Sequence, residues 1–335
     1  MKIVVRVPNW IGDVVFALPA LRSLDAHFSG SDLRIAGPAW VAELLSGTEF
    51  GQRTISLGAA GAASGIRRAA SVLKSGAFDT GILLTNSFSS AFLFRSAGVK
   101  ERWGYATDGR GLLLTRSVRR KKAGPPEHMV RYYLGLLEGL GIPAREPSID
   151  LAVPASAKAG AARLLVEAGI EPARPLVVLA PGAAHGPAKR WPAARFGATA
   201  EFLRARFGAA VVVVGTPAEA PLAGEIAGAM SEPPADLTGR TGLGALLGLL
   251  DRAAVLVSND SGPLHMANAL RTPVVAVFGP TDPRATGPFR EPARVLRAEG
   301  VSCWPCRYRV CPIDHRCMTR IGPEEAARAA GEVLR

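Results

Sequence analysis

The sequence predicts an α/β protein of two doubly wound domains that face a cleft. Three observations carry this expectation. Short β-branched runs alternate with Ala- and Leu-rich stretches of helical period, the pattern of a parallel sheet with crossover helices. The pattern starts afresh near residue 175. Between the halves, Pro147, Pro154 and Pro172 punctuate the chain and set a boundary near 153–173. A length of 335 residues suits two medium domains, each with a core.

The first strand is expected over 2–7, where Ile3, Val4, Val5 and Val7 are β-branched. Residues 8–13 then read as a turn. From 14 to 27, Val14, Val15, Leu18, Leu21 and Leu24 recur at helical spacing. Residues 33–36 and 80–85 supply further strands. In the second half, 175–180 reads as a buried strand, followed by a turn at Pro181-Gly182-Ala183 and a helix over 191–207. Residues 209–215 hold four consecutive valines and end on Gly, as suits a central parallel strand. Strands at 254–257 and 274–278 and a helix from Pro323 complete the set.

Composition excludes several classes. With 48% hydrophobic and 20% charged residues the chain is not disordered, and 37 Gly and 26 Pro without a G-x-y period exclude collagen. No run approaches the roughly 18–20 apolar residues of a membrane span. The opening lacks the layout of a signal peptide, so a soluble, cytoplasmic protein is expected. Lys and Arg number 40 against 28 Asp and Glu, a net charge of +12. The densest basic run is Arg116, Arg119, Arg120, Lys121 and Lys122. It reads either as a solvated loop or as a site for a polyanion. Only 6% of residues are aromatic and no nucleic-acid-binding motif is present, so nucleic acid is not the expected partner.

Doubly wound sheets bind ligands outside the carboxyl ends of their strands. That directs attention to the loops after Val7, Ala180, Gly215, Val257 and Phe278. Asp13 follows the first strand, either as a first-turn helix residue or as a base for a hydroxyl nucleophile. Lys189 and Arg190 lie between a strand and a helix, exposed on a loop or set against a diphosphate. Asp260 and Ser261 precede an Ala-rich helix, as caps or as parts of an anion site, and His265 falls about one turn in. Neither a P-loop nor a G-x-G-x-x-G follows the first strand, which counts against a nicotinamide enzyme.

Taken together these segments resemble a known family. Pro8-Asn9-Trp10-Ile11-Gly12-Asp13 with Ala17-Leu18-Pro19-Ala20-Leu21, then Pro181-Gly182-Ala183 with Lys189-Arg190-Trp191-Pro192, then Asn259-Asp260-Ser261-Gly262-Pro263-Leu264-His265 with Phe278-Gly279-Pro280-Thr281 occur in order over nearly the whole chain. They look like the signatures of the bacterial ADP-heptose:lipopolysaccharide heptosyltransferases, glycosyltransferase family 9. The Asn-Trp-Ile-Gly-Asp opening and the Cys-rich tail most resemble the branch that adds the second inner-core heptose.

The resemblance implies a GT-B fold of two Rossmann-like domains. Residues 1–155 would bind the acceptor, 170–322 the nucleotide sugar, and 323–335 form a C-terminal helix packing back across the first domain. It implies an inverting, metal-independent glycosyltransferase that uses ADP-heptose and requires no cofactor. Asp13 matches the family's proposed general base. Lys189, with Arg190 beside it, matches the donor-diphosphate contact. Asp260 matches the carboxylate that holds the sugar, with Ser261, Gly262 and His265 alongside, and Glu219 matches a ribose contact. The implied acceptor is the anionic lipopolysaccharide core, met by Arg116, Arg119, Arg120, Lys121 and Lys122, with peripheral contact at the cytoplasmic face of the inner membrane. The alternatives are another nucleotide-sugar-dependent GT-B enzyme or a basic nucleic-acid-binding module.

Cys303, Cys306, Cys311 and Cys317 fall within fifteen residues, in segment 303–317, with His315 among them. Reduced buried thiols, a structural zinc site and a disulfide all remain open for them.

Overall fold

The structure is a computed structural model that describes residues 1–58, 63–120 and 126–334. The chain divides into two compact units, Met1–Ala152 and Val153–Arg335. The first holds strands β1 (Lys2–Arg6), β2 (Asp32–Gly37), β3 (Thr54–Ser56), β4 (Thr80–Leu83), β5 (Glu101–Tyr105) and β6 (Arg116–Val118). The second holds β7 (Leu176–Ala180), β8 (Ala210–Val213), β9 (Ala235–Asp236), β10 (Val255–Asn259), β11 (Val274–Phe278) and β12 (Ala293–Arg297).

Each unit builds one six-stranded sheet, ordered β3-β2-β1-β4-β5-β6 and β12-β11-β10-β7-β8-β9. Every pairing is parallel. Counted from the first strand of each unit, both sheets follow the order 3-2-1-4-5-6. The side on which strands are added therefore switches between β1 and β4, and again between β7 and β10. Loops leaving the two strands at such a point diverge and open a crevice. The central strands β7, β10 and β11 are buried along their whole length, because helices cover both faces of a parallel sheet. Their Val- and Leu-rich runs have the composition that burial demands.

Helix Ile11–His27 packs on helix Met129–Gly139, and helix Ala155–Glu167 packs on helix Leu243–Arg252 within the second unit. The boundary falls at the start of the expected 153–173 interval, because helix Ala155–Glu167 belongs to the second unit. Two expectations are revised. Residues 8–13 are not all turn, because the helix starts at Ile11. The last helix, Pro323–Val333, packs on helix Ala193–Phe207 and on β10, β11 and β12 of its own unit. Its Ala326, Ala330 and Val333 face join the core around Trp191, Phe196 and Met318. Among the described residues, no helix is long and apolar enough to cross a membrane.

Candidate active site

The crevice of the second sheet is organised by Asn259, the last residue of β10. Its Nδ2 donates to the Pro181 carbonyl at 2.7 Å, and its Oδ1 accepts from the Trp191 amide at 3.0 Å. One buried side chain thus ties both ends of the loop that leaves β7. Trp191 anchors the far end. It is buried, meets Phe196 edge-on at 5.0 Å and donates its Nε1 to the Ile321 carbonyl at 3.1 Å.

Held between these ends, Lys189 Nζ reaches Asp260 Oδ2 at 2.5 Å. Thr281, from the loop after β11, donates its hydroxyl to the same oxygen at 2.7 Å. His265 Nε2 lies 3.5 Å from the other oxygen, Oδ1. Asp260 is only 3% exposed. Burial alone would raise its pKa, but the His265 hydrogen bond and the Lys189 ammonium outweigh burial and hold the carboxyl well below the usual range. The carboxylate is therefore ionised at neutral pH.

Ser261 occupies the N-cap position of helix Gly262–Ala269 without capping it. Its hydroxyl meets Ser258 Oγ at 3.0 Å instead. The first-turn N–H groups lack a side-chain cap, which suits an anion. Arg190 Nε is buried without a hydrogen-bond partner, and such orphans are rare enough to call for a ligand or a function. Glu219 accepts from the Thr216 amide at 2.8 Å and closes a capping box. Its carboxylate also lies against Gly182, where any Cβ would overlap it. A side chain at that position would have to displace the Glu219 carboxylate. The second rim thus gathers Lys189, Arg190, Glu219, Asp260, Ser261, Gly262 and His265. It can hold a compact polyanion between two cations and a helix N-terminus.

The rim of the first sheet is built differently. Asp13 sits in the first turn of its helix, with Trp10 at the N-cap, where the helix dipole favours a carboxylate. Its charge is felt by Tyr132 and Tyr133, whose phenols are raised by burial first and by Asp13 further. Tyr132 donates to Asn86 Oδ1 at 2.8 Å, and the Arg120 guanidinium lies over its ring at 5.0 Å. Asp13 and Arg120 therefore share a neighbourhood. Arg116 is held elsewhere, 4.5 Å over the Trp103 ring and 2.8 Å from the Leu140 carbonyl. Arg119 is exposed. Lys121 and Lys122 lie outside the described residues.

Sequence reasoning missed two buried cations in this unit. Arg6 donates Nη2 to Asn9 Oδ1 at 2.6 Å, while Arg110 donates Nε to the Tyr105 carbonyl at 2.9 Å and Nη1 to Ser90 Oγ at 3.2 Å. Burial lowers both guanidinium pKa values to about 10. Arg6 Nε, Arg110 Nη2 and Thr85 Oγ1 lack partners. Nothing in the sequence distinguishes either arginine from a surface one, beyond Arg6 immediately preceding the first loop. Thr281 and Asn259 were visible as motif members but not as the partners of Asp260 and of the loop ends.

All four cysteines are free thiols, and Cys317 is buried. Burial, and then Cys306, Cys311 and Cys303, push the Cys317 thiol up to about 11. Among the described residues, no group of three or more His, Cys, Asp or Glu is placed to hold a metal ion.

Comparison with known proteins gives the family and the fold. Residues 66–316 match glycosyltransferase family 9 (heptosyltransferase). The lipopolysaccharide heptosyltransferase 2 of Salmonella typhimurium is 33% identical over 309 residues, covering 89% of this chain and 88% of the relative. That of Escherichia coli is 32% identical over 312 residues, with the same coverage of 89% and 88%. The solved structure of E. coli ADP-heptose lps heptosyltransferase II superposes with a TM-score of 0.84 at 27% identity, covering 100% of this chain and 98% of that one. The two-sheet architecture is thus that of the GT-B heptosyltransferases.

Proposed function

Because this chain belongs to glycosyltransferase family 9, the heptosyltransferases, we infer that it transfers heptose from ADP-heptose to the inner core of lipopolysaccharide. The second inner-core heptose is the one it adds. The observation that carries this reading is the Lys189–Asp260 pair, set where β7 and β10 diverge, within a chain that resembles heptosyltransferase II along its whole length.

In this reading Asp13 takes a proton from an acceptor hydroxyl while that oxygen attacks the anomeric carbon of the heptose. The bond from that carbon to ADP breaks on the opposite face, so configuration inverts. Negative charge gathers on the departing diphosphate. Lys189 has N–H donors beyond the one spent on Asp260, and with Arg190 and the N-terminus of helix Gly262–Ala269 it meets that charge. Fixed donors aimed at developing charge are a large part of catalytic power. Asp260, bonded to Lys189 and Thr281, aims both toward the donor and holds the sugar. Glu219, beside Gly182, meets the ribose in this reading. No metal is needed for the step, because the cations supply the charge.

The first unit takes the anionic acceptor through Arg119 and Arg120. Its rim also carries the exposed Phe88–Phe92 stack, with centroids 6.4 Å apart, and an exposed Leu112. Apolar and basic side chains on one rim suit the headgroup region of an anionic membrane, so the enzyme works from the cytoplasmic face of the inner membrane.

A transfer assay tests the reading. Purified protein is given ADP-heptose and two truncated lipopolysaccharides, one with no heptose and one with a single heptose. Mass gain on the mono-heptosylated acceptor is expected. Gain on the bare acceptor alone would move the reaction to the first heptose, and gain on neither would overturn the assignment.

A further inference from the structure

The cysteine-rich segment has no regular structure between 301 and 315, yet its polar groups are spent on the site. The Ala188 amide donates to the Arg309 carbonyl at 3.0 Å, and the Ala188 carbonyl accepts from His315 Nε2 at 2.7 Å. Both backbone groups of the residue before Lys189 are therefore bound to this segment. His185 adds a second tie. Its Nε2 meets the Arg307 carbonyl at 3.3 Å, and its own carbonyl accepts from Arg309 Nε at 2.8 Å. Gly186 has φ +149°, and a Cβ there would overlap the Arg309 carbonyl.

The same segment holds the loop that bears Thr281. The Arg307 amide donates to the Pro280 carbonyl at 3.1 Å, and Trp304 Nε1 donates to the Thr281 carbonyl at 3.1 Å. At its far end Cys317 and Met318 are buried in the core, and Met318 packs under Gly279. The two loops that deliver Lys189 and Thr281 onto Asp260 are thus braced from outside by one strap, itself rooted in the core.

We propose that residues 303–317 are a positioning strap for the donor-diphosphate loop, and that His315 is its positioning residue, fixing the Ala188 carbonyl and through it the approach of Lys189. The inference rests on the reading of Lys189 as a donor contact. A loop held at both backbone groups of Ala188 presents Lys189 at one height. Without His315 the Ala188 carbonyl loses its partner, the loop samples more positions, and ADP is bound by a site that must order itself first.

His315→Ala, His315→Gln and Gly186→Ala are compared with the wild type by ADP titration calorimetry and by donor and acceptor kinetics. His315→Ala is expected to weaken ADP binding and raise the ADP-heptose KM about tenfold while leaving the acceptor KM in place, a free-energy change of about 1.4 kcal/mol. His315→Gln keeps an N–H donor at similar reach and is expected to recover most of the loss. Gly186→Ala attacks the strap at another tie, the Arg309 carbonyl that accepts from the Ala188 amide, and should reproduce the donor-specific defect. Equal rises in both KM values, no recovery by Gln, or unchanged ADP binding in His315→Ala would each overturn the strap. A wild-type protein that binds no ADP would instead overturn the donor-site reading beneath it.

Discussion

The two sheets share a strand order and carry opposite kinds of rim. In the second unit the side chains around Asp260 are already bonded to one another, and Arg190 Nε is the buried donor left over. Asp260 is fixed by Lys189 and Thr281, Asn259 ties the loop, and the cysteine-rich segment braces it. In the first unit the rim is open, with exposed Trp10, Phe88, Phe92 and Leu112, and with buried donors on Arg6 and Arg110 left over. The difference teaches what one topology can be fitted to do. A rigid, prepaired rim suits a small ligand of fixed charge. An open, mixed rim suits a large amphipathic one, whose own groups finish the bonding.

The largest effect should come from the carboxylate on the open rim. Asp13→Asn is expected to lower kcat about 10³-fold, the scale of a lost general base, with ADP affinity by calorimetry unchanged. If ADP affinity fell as well, the two rims would not divide the work as argued.

The rigid rim should respond in stability first. Asp260→Asn leaves the Lys189 ammonium facing a neutral group, and breaking a buried pair costs about 3–5 kcal/mol. The pH dependence follows from the depressed pKa of Asp260. Its contribution is complete above the ordinary carboxylate value of 3.8 and is lost as pH falls through the lower folded value. The gap in urea midpoint between wild type and variant should therefore stay constant from neutrality to about pH 5 and narrow below it. A gap independent of pH would mean that the pair contributes no charge-dependent stability.

The smallest effect should be at the solvated cations. Arg119→Ala with Arg120→Ala should raise the acceptor KM about 3–10-fold, flatten its rise with salt and leave ADP binding unchanged. An unaltered salt dependence would return this run to plain solvation.

Legibility in the sequence follows burial. β1, β7, β8, β10 and β11 are interior strands whose apolar runs announce them. β3, β6, β9 and β12 are edges, short or charged, as in Arg116-Ser117-Val118, and edges are where hydrophobic pattern fades. The interior β5 was missed too, since Glu101, Arg102 and Gly104 interrupt its run. Asp13, Lys189 and Asp260 stood out because local sequence places each at a strand's carboxyl end. The bond from His315 to Ala188 spans 127 positions, and no local pattern encodes a contact of that range. The contact of Arg116 with a tryptophan thirteen positions earlier was likewise not legible in the run of five cations.

The Asn259 clasp closes the chain from 181 to 191 into a ring whose circumference is set by residue count. An insertion or deletion inside it must be absorbed between two fixed ends, and so changes the path of the residues that carry Lys189. The clasp also gives the Trp191 amide an acceptor that is itself buried and belongs to a central strand. Amides in irregular chain commonly trade their protons for deuterium early, through local openings. The Trp191 proton can leave only when this buried bond opens, and it should outlast its loop neighbours.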